Sequence, residues 1–320
     1  MTAPVLASAL PTLDPNFDRR SGVGASEVAA ILGLDPRRTP LALWLDKTGQ
    51  SPPFEGNEWT RMGHRLEAVI ADSYAERENV ELVPCTTKRH PQFPHVFATP
   101  DRRVVGVNRL IECKAVFSPR VMLEFGEDGS SDYPQRYGVQ AMIQAAVEDA
   151  DDVVIAALMG AELRAYRVPR DRTRERRILE LVEAWWDRFI VKGEQPQMDG
   201  SEAASEWLKS QFPRDNGDLL EADASAAVLI REVIETREGA KLAEERFEIA
   251  KQNLQQVIGD ASGIKADGIG KVSWKRANGV LKTDWQAIAT ELGADDALVS
   301  KYSRSTPGSR RFLVTAEKSL

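Results

Sequence analysis

Two short runs of residues are the part of this sequence best suited to chemistry. The first is Thr-Pro-Asp, which ends at Asp101, and the second is Leu-Ile-Glu-Cys-Lys, which holds Glu112 and Lys114 two positions apart. Side chains two apart on a β-strand point to the same side, so Glu112 and Lys114 share a face. A hairpin between the two runs would bring Asp101 beside Glu112. Burying such charges is costly unless they are paired, which indicates a functional site.

The chemistry that clustered carboxylates and a lysine favour is metal-assisted hydrolysis. Two neighbouring carboxylates raise each other's pKa unless a cation lies between them. Oxygen ligands suit Mg²⁺ or Mn²⁺, and such ions hold phosphate oxygens and activate water. Lys114 would orient or deprotonate that water, or stabilise charge in the transition state. The pattern predicts a phosphodiester hydrolase; taken alone, it also fits a structural strand with a solvated Glu-x-Lys face.

The elements that position these residues follow from the spacing of apolar side chains. Apolar residues recur every three or four positions from Trp59 to Tyr74, which predicts a helix. Beyond this helix the pattern changes to short β-rich runs separated by proline, glycine and asparagine. We therefore predict an α+β fold with a central mixed sheet flanked by helices. Helices are expected at 26–34, 39–47, 57–78, 133–147 and 171–191, and strands at 80–83, 96–99, 103–107, 110–117, 153–159 and 163–168.

The remainder of the chain predicts a separate C-terminal region. Residues 219–258 form a long charged helical stretch, which Gly239 could interrupt. A β-hairpin is expected over 262–282 with its turn at Asn278-Gly279, followed by a helix at 284–293 and a returning strand at 311–314. The predicted organisation is a flexible N-terminus (1–18), a catalytic domain (19–195), a linker (196–218) and a C-terminal long helix plus hairpin region (219–320).

Composition limits the kind of protein and of partner. Of the 320 residues, 42% are hydrophobic and 28% charged, as in ordinary folded proteins. The net charge is −7, whereas residues 261–320 carry 10 Lys and Arg against 6 Asp and Glu, a net of +4. A global basic footprint for DNA is therefore absent, so contacts must come from local basic groups or bound metal. The two cysteines, the absence of a signal-peptide pattern and the lack of a run of about 18 apolar residues predict a cytoplasmic protein without a membrane partner.

Five blocks of sequence, in order, resemble a known nuclease family. Together they are similar to the YqaJ-like viral recombinases, which are lambda-exonuclease-type nucleases of the PD-(D/E)xK superfamily. The resemblance implies a restriction-endonuclease-like core and a phage or prophage gene in a bacterial host. Two positions depart from the family pattern, since Arg102 and Ala115 replace the usual glycine and proline. The blocks are RSGVGASEVAAILG (20–33), MGHRLE (62–67), TPD (99–101), LIECK (110–114) and YGVQ (137–140).

The resemblance implies a role for each matching residue of the metal site. Asp101 and Glu112 would bind Mg²⁺, or Mn²⁺ as a substitute, together with the main-chain carbonyl of Cys113. Glu67 would complete the acidic site, directly or through a water molecule. Lys114 would position and activate the attacking water. A site with two metal ions is expected.

The remaining matches concern the α-helix after the strands and the DNA end. Gln140 would reach the catalytic site, with Tyr137 one turn before it in a supporting role. Arg20 and Ser26 would hold the 5′-terminal phosphate of DNA. Ser26 is expected to open a helix, where free N–H groups and the helix dipole attract anions.

The activity implied by the family is digestion of linear double-stranded DNA from 5′ to 3′, leaving 3′ single-stranded tails for recombination. The family also implies a single-strand annealing protein as partner and a ring-shaped homo-oligomer, often a trimer. Two alternatives stay open: a structure-specific or nicking endonuclease on the same fold, and a non-catalytic DNA-binding scaffold. Closed circular DNA separates the first two, because only an endonuclease cuts it.

Overall fold

The computed structural model describes residues 17–52, 55–279, 281–304 and 310–314. It consists of two units, Met1–Gln211 and Phe212–Leu320, each with its own contacts. The predicted N-terminal segment 1–18 therefore lies almost entirely outside the described residues. Every helix in the described ranges is too short or too polar to cross a bilayer.

The first unit contains seven helices and eight strands within its described residues. Two 3-10 turns, Arg19–Ser21 and Ala25–Glu27, flank its first strand, and a π-helical turn, Asp187–Val191, extends its sixth helix. In chain order the elements are β1 (Val23–Gly24), α1 (Val28–Ile31), α2 (Pro40–Lys47), α3 (Glu58–Glu78), β2 (Leu82–Pro84), β3 (Lys88–Arg89), β4 (Val96–Ala98), β5 (Arg102–Val104), β6 (Arg109–Val116), α4 (Pro119–Met122), α5 (Gln135–Glu148), β7 (Asp152–Met159), β8 (Glu162–Pro169), α6 (Arg172–Trp186) and α7 (Glu202–Gln211).

A mixed five-stranded sheet in the order β2-β5-β6-β7-β8 forms the centre of this unit. Strands β6 and β7 are parallel, and α5 connects them; the other neighbours are antiparallel. A second, three-stranded sheet has the order β1-β4-β3. The predicted α+β class with a central mixed sheet is confirmed.

The core lies on both faces of β6, and the strand's alternation decides which side chain meets which helix. Leu110 packs in one apolar cluster with Ala141 of α5, whereas Ile111 packs in another with Ile70 of α3. Since residues two apart share a face, Glu112 and Lys114 lie on the α5 side of the sheet with Leu110. Ile111 and Cys113 point to the opposite face, into the apolar cluster that includes Ile70.

The apolar stripe predicted for helix α3 is buried over only part of its length. Asn57 caps it by accepting the Thr60 N–H, and the helix ends where Asn79 adopts a left-handed conformation, with φ of 51°. The stripe is buried at Ile70 and Tyr74, but Trp59 is 67% exposed. Only the C-terminal half of the stripe therefore packs in the core of this unit.

The segment between the predicted catalytic domain and the long helix contains α7. Ala204 of α7 is buried, and the Trp207 indole N–H donates to the Gln50 side chain at 2.9 Å. Helix α7 therefore packs on the first unit. The predicted domain boundaries themselves stay a prediction.

The second unit begins with one uninterrupted helix. It consists of α8 (Ala224–Ile258), β9 (Gly263–Ala266), β10 (Gly270–Ser273), α9 (Trp285–Glu291) and α10 (Asp296–Tyr302). Gly239 does not break α8, because it keeps the helical backbone that glycine tolerates at modest cost.

Two details of the second unit differ from the sequence prediction. The hairpin turn at Asn278-Gly279 is wrong, since β9 and β10 pair through the earlier turn Asp267–Ile269. The predicted strand at 311–314 is also wrong, because these residues have no strand partner within the described part of the chain. Helix α10 was not predicted.

Candidate active site

Strand β6 and helix α5 together build a buried polar cluster. The Lys114 ammonium donates to Glu112 Oε1 at 2.6 Å and to Gln140 Oε1 at 3.1 Å. The Gln140 amide in turn donates to Glu112 Oε1 at 2.6 Å. Glu112 is only 4% exposed. Three of the residues singled out in the sequence therefore lie together, and they close a triangle of hydrogen bonds.

A second glutamine of α5 joins this cluster and was not assigned to the site from the sequence. Gln144 Nε2 donates to Glu112 Oε2 at 2.5 Å, and Gln144 is 1% exposed. Its Oε1 has no partner among the described residues. The signal in the sequence is its spacing, because residues four apart on a helix share a face and Gln140 already points at Glu112.

Asp101 and Glu67 bring two further carboxylates to the same place. Asp101 precedes β5, and its Oδ2 accepts the Cys113 N–H at 2.7 Å. Burial, and then the adjoining Glu67 carboxylate, raise the pKa of Asp101 well above its usual range. The Glu67 side chain, 12% exposed on α3, has His64 Nδ1 at 3.6 Å from its Oε2. The structure therefore places Glu67 beside Asp101, and Asp101 beside Glu112 and Lys114.

The charge balance of the cluster favours a cation. Burial, and then the charge of Asp101, raise the pKa of Glu112 despite Lys114. Burial alone would lower the pKa of Lys114, but the Glu112 and Asp101 carboxylates raise it above its usual range. The ammonium also lies 5.0 Å from the centroid of the Tyr137 ring, the predicted supporting residue. Glu112 and Asp101 therefore share one ammonium, and Glu67 adds a third carboxylate beside Asp101.

The donor atoms of the cluster fit a hard divalent ion. Glu112 Oε1 already accepts two hydrogen bonds, whereas Oε2 accepts one and keeps an acceptor position. The N–H and C=O of a strand residue face the same neighbour, so the Cys113 carbonyl faces the Asp101 side, as its N–H does. No group of three or more His, Cys, Asp or Glu within the described ranges is arranged as a preformed metal cluster. Oxygen donors of this kind are those that Mg²⁺ and Mn²⁺ prefer.

A small cavity of about 50 Å³ adjoins the cluster on the α5 side. Gln140 and Gln144 belong both to its lining and to the hydrogen bonds around Glu112. Arg19 also lines it, and this guanidinium forms no ion pair with any residue that the structure describes. The polar side chains of the lining are Arg19, Ser26, Thr99, Gln140 and Gln144.

The two residues expected to bind the terminal phosphate have different positions. Ser26 lines the cavity, but it lies inside a 3-10 turn capped by Gly24 and does not open a helix. Arg20 is directed elsewhere, because its Nε lies 3.6 Å from an Asp46 carboxylate oxygen. The cavity has Arg19 instead, which the sequence alone could not distinguish from its neighbour. Thr99 was also missed.

Comparison with known proteins supports the resemblance inferred from the sequence. Residues 17–151 match the family model of the YqaJ-like viral recombinase domain. The resemblance to this family is therefore confirmed over that part of the chain.

Two curated relatives are also similar to the chain. The chain is 28% identical over 251 residues to the uncharacterised protein YqaJ of Bacillus subtilis (strain 168), covering 77% of each chain. It is 27% identical over 146 residues to an uncharacterised Acanthamoeba polyphaga mimivirus protein, covering 42% of this chain and 26% of that one.

Two solved structures are similar at low identity. An alkaline exonuclease from Laribacter hongkongensis is 21% identical, with a TM-score of 0.44 over 60% of this chain and 94% of that one. A phage-related exonuclease from Haemophilus somnus is 15% identical, with a TM-score of 0.42 over 54% of this chain and 96% of that one.

Proposed function

We propose that the protein is a Mg²⁺-dependent exonuclease that digests linear double-stranded DNA from 5′ to 3′ and leaves 3′ single-stranded tails. The observation that carries the proposal is the grouping of Glu112 and Asp101 at Lys114, with Glu67 beside Asp101, next to a cavity that Arg19 lines. The YqaJ-like domain supports a role in viral-type recombination. The retained acidic set favours an enzyme over a non-catalytic scaffold.

In this proposal each side chain has a defined task. Asp101, Glu112, Glu67 and the Cys113 carbonyl would hold two divalent ions, which would supply a lowered pKa for bound water and charge stabilisation for the leaving oxygen. Lys114 keeps its proton beside Glu112, so it orients the attacking water and stabilises negative charge in the transition state rather than acting as the base.

The neighbouring cavity is proposed to hold the 5′-terminal phosphate. Arg19 supplies a guanidinium that has no ion-pair partner among the described residues, and it suits phosphate because its donors form a fixed fork. The hydroxyls of Ser26 and Thr99 add donors beside it. Gln140 lines this cavity and also forms hydrogen bonds with Lys114 and Glu112. The bound 5′ end of the DNA would therefore lie next to the site of hydrolysis.

The experiment that tests the function uses linear duplexes labelled at the 5′ or the 3′ end, with Mg²⁺ or EDTA. We expect early release of the 5′ label as nucleotide with Mg²⁺, no release with EDTA, and intact closed circular DNA. Cleavage of the circle would instead support the endonuclease alternative, and DNA binding without cleavage would support the scaffold.

The end-binding assignment has a matched pair of variants in adjacent arginines. Arg19→Ala should lower kcat/KM on 5′-phosphorylated ends by roughly 10-fold to 10²-fold, as expected for loss of a charged hydrogen bond. Arg20→Ala should leave it nearly unchanged, because Arg20 pairs with Asp46. The reverse order would contradict the assignment of Arg19.

The proposal includes a ring-shaped homo-oligomer, such as a trimer, and a single-strand annealing partner. The net charge of −7 supports a ring, since a locally basic channel could enclose DNA while the exterior stays acidic. Light scattering with activity measured on the same sample tests it. Fully active monomers would rule out the ring.

A further inference from the structure

A buried ion pair lies beneath the segment that carries Arg19 and Ser26. The Lys47 side chain is fully buried, and its ammonium donates to Glu27 Oε2 at 2.7 Å. The same ammonium donates to the main-chain carbonyl of Arg19, also at 2.7 Å. Lys47 is the last residue of α2. A rigid helix end is therefore bonded directly to the backbone of the arginine that lines the cavity.

Glu27 connects the same pair to the other end of the segment. Its Oε2 also accepts the Gly24 N–H at 2.8 Å, and its Oε1 accepts from Arg38 at 3.1 Å. The Glu27 side chain is only 6% exposed. The backbone of the segment is thus held at two points, Arg19 and Gly24, by one buried pair.

The contact between Gly24 and Arg19 shows why this restraint matters for the cavity. A Cβ added at Gly24 would lie 3.3 Å from the Arg19 guanidinium and 3.1 Å from the Phe97 ring. The backbone at Gly24 therefore lies against the side chain that lines the cavity. A small shift of this backbone would move the guanidinium, and displacements of about 1 Å in a binding site can cost roughly 10²-fold in rate.

Stability alone does not explain why the Lys47–Glu27 pair is charged. Two buried charges lose their hydration, and apolar residues of similar volume often stabilise a protein as well as a buried ion pair does. What an apolar pair cannot do is donate to the Arg19 carbonyl and accept from Gly24 at fixed distances. The contacts that are specific to the ion pair are those made to the cavity segment.

We propose that Lys47 and Glu27 are positioning residues that fix Arg19 and Ser26 for recognition of the DNA 5′-phosphate. The inference rests on the proposed function, because it assigns the phosphate to this cavity. Neither residue lines the cavity, so both act through the segment they hold. Their loss should weaken discrimination between phosphorylated and unphosphorylated ends rather than the hydrolytic step itself.

The test compares kcat/KM on linear duplexes with a 5′-phosphate and with a 5′-hydroxyl, in the full-length protein with Mg²⁺. The main variant is the double substitution Glu27→Gln with Lys47→Met, which leaves no unpaired buried charge. We expect its 5′-phosphate preference to fall by roughly 10-fold or more, through KM, with kcat on saturating substrate little changed. Glu27→Gln alone keeps an acceptor for Gly24 and should lose less.

A second buried ion pair of the same unit provides the matched control. Arg170 Nε lies 3.0 Å from Glu175 Oε2, and the other partners of Arg170, Asp149 and Ala150, do not line the cavity. The double substitution Arg170→Met with Glu175→Gln should leave the 5′-phosphate preference at the wild-type value. Circular dichroism and thermal unfolding show whether each variant folds.

The outcomes separate this inference from the proposed function. A wild-type protein without any 5′-phosphate preference contradicts the phosphate site itself. A wild-type preference that survives in the folded Glu27→Gln/Lys47→Met variant overturns the positioning role. If that variant does not fold, Glu27→Gln decides: an unchanged preference overturns the inference, and a partial loss supports it. An equal loss in the Arg170/Glu175 control would also overturn it, because the effect would then be general.

Discussion

The parallel strands β6 and β7 carry two buried carboxylates whose surroundings are opposite. Asp152, at the start of β7, meets Arg109 Nε at 2.5 Å and Arg167 Nε at 2.7 Å. Glu112, further along β6, meets one ammonium and two amides, with Asp101 close by. Both carboxylates are less than 5% exposed. The two regions therefore differ in charge balance and not in burial.

The pKa directions express this difference. Burial alone would raise the pKa of Asp152, but hydrogen bonds from Arg109 and Arg167 lower it below its usual value. The pKa of Glu112 is raised, because burial and Asp101 outweigh Lys114. Asp152 is satisfied by the fold itself, whereas the Glu112 cluster has an excess of carboxylate that an external cation would balance. The comparison teaches that burial alone does not mark a site, and unbalanced charge does.

The largest effect is expected when the candidate catalytic groups Glu112 and Lys114 of β6 are removed. Glu112→Ala and Lys114→Ala should each lower the single-turnover rate on linear duplex by roughly 10²-fold or more, since both groups act mainly on the transition state. Circular dichroism should show folded protein. Unchanged rates in both folded variants would end the nuclease assignment.

Substitution of Asp152, at the start of β7, is expected to change stability and not activity. Asp152→Asn should lower the free energy of unfolding by about 2 kcal/mol, because it removes charged hydrogen bonds to two guanidinium groups. Urea denaturation measures this change. The rate per folded molecule should stay at the wild-type value, and a variant that loses activity but not stability would reverse the comparison.

Gln144 belongs both to the Glu112 cluster and to the cavity lining, and its substitution tests the comparison further. Gln144→Leu should lower the single-turnover rate by about 10-fold, the equivalent of one hydrogen bond to a charged group. Gln135, an exposed glutamine at the start of the same helix, gives the control variant Gln135→Leu. Equal rates for the two variants would show that Gln144 only fills space.

The smallest effects are the pH slopes of stability, which should have opposite signs. Asp152 has a lowered pKa, so its contribution is present above about pH 4 and disappears as the pH falls through its folded pKa. The difference in stability between wild type and Asp152→Asn should therefore shrink in acid.

Glu112 has a raised pKa, so the metal-free folded state binds its proton more tightly than the unfolded chain does. In EDTA, wild type should lose stability relative to Glu112→Gln as the pH rises above about 4.3. Urea titrations of the variants at several pH values measure both slopes. Parallel slopes for the two pairs would contradict the charge analysis.

Local patterns predicted the central part of the site. The two-residue alternation of β6 is enough to put Glu112 and Lys114 on one face. This relation depends only on neighbouring residues, so the sequence shows it directly, whereas the assignment of Gln140 came from the family resemblance. The mixed sheet was predicted because the spacing of apolar residues changes from a helical to a strand pattern after residue 78.

Choices that depend on distant residues could not be predicted in this way. Arg19 and Arg20 are adjacent, and only the 3-10 turn and Asp46 on α2 decide which of them faces the cavity. The Asn278-Gly279 pair is a good turn sequence, but the strands β9 and β10 pair around an earlier turn. In both cases tertiary contacts override a local preference.

The most direct test of the central claim is a calorimetric titration with Mn²⁺, used as a substitute for Mg²⁺. Wild type and Asp152→Asn should bind the ion alike, and the double variant Asp101→Asn/Glu112→Gln should not bind it. Thermal unfolding should rise with Mn²⁺ in the same two proteins only, because a ligand that binds the folded state stabilises it. No binding by wild type, or equal binding by the double variant, would contradict the account.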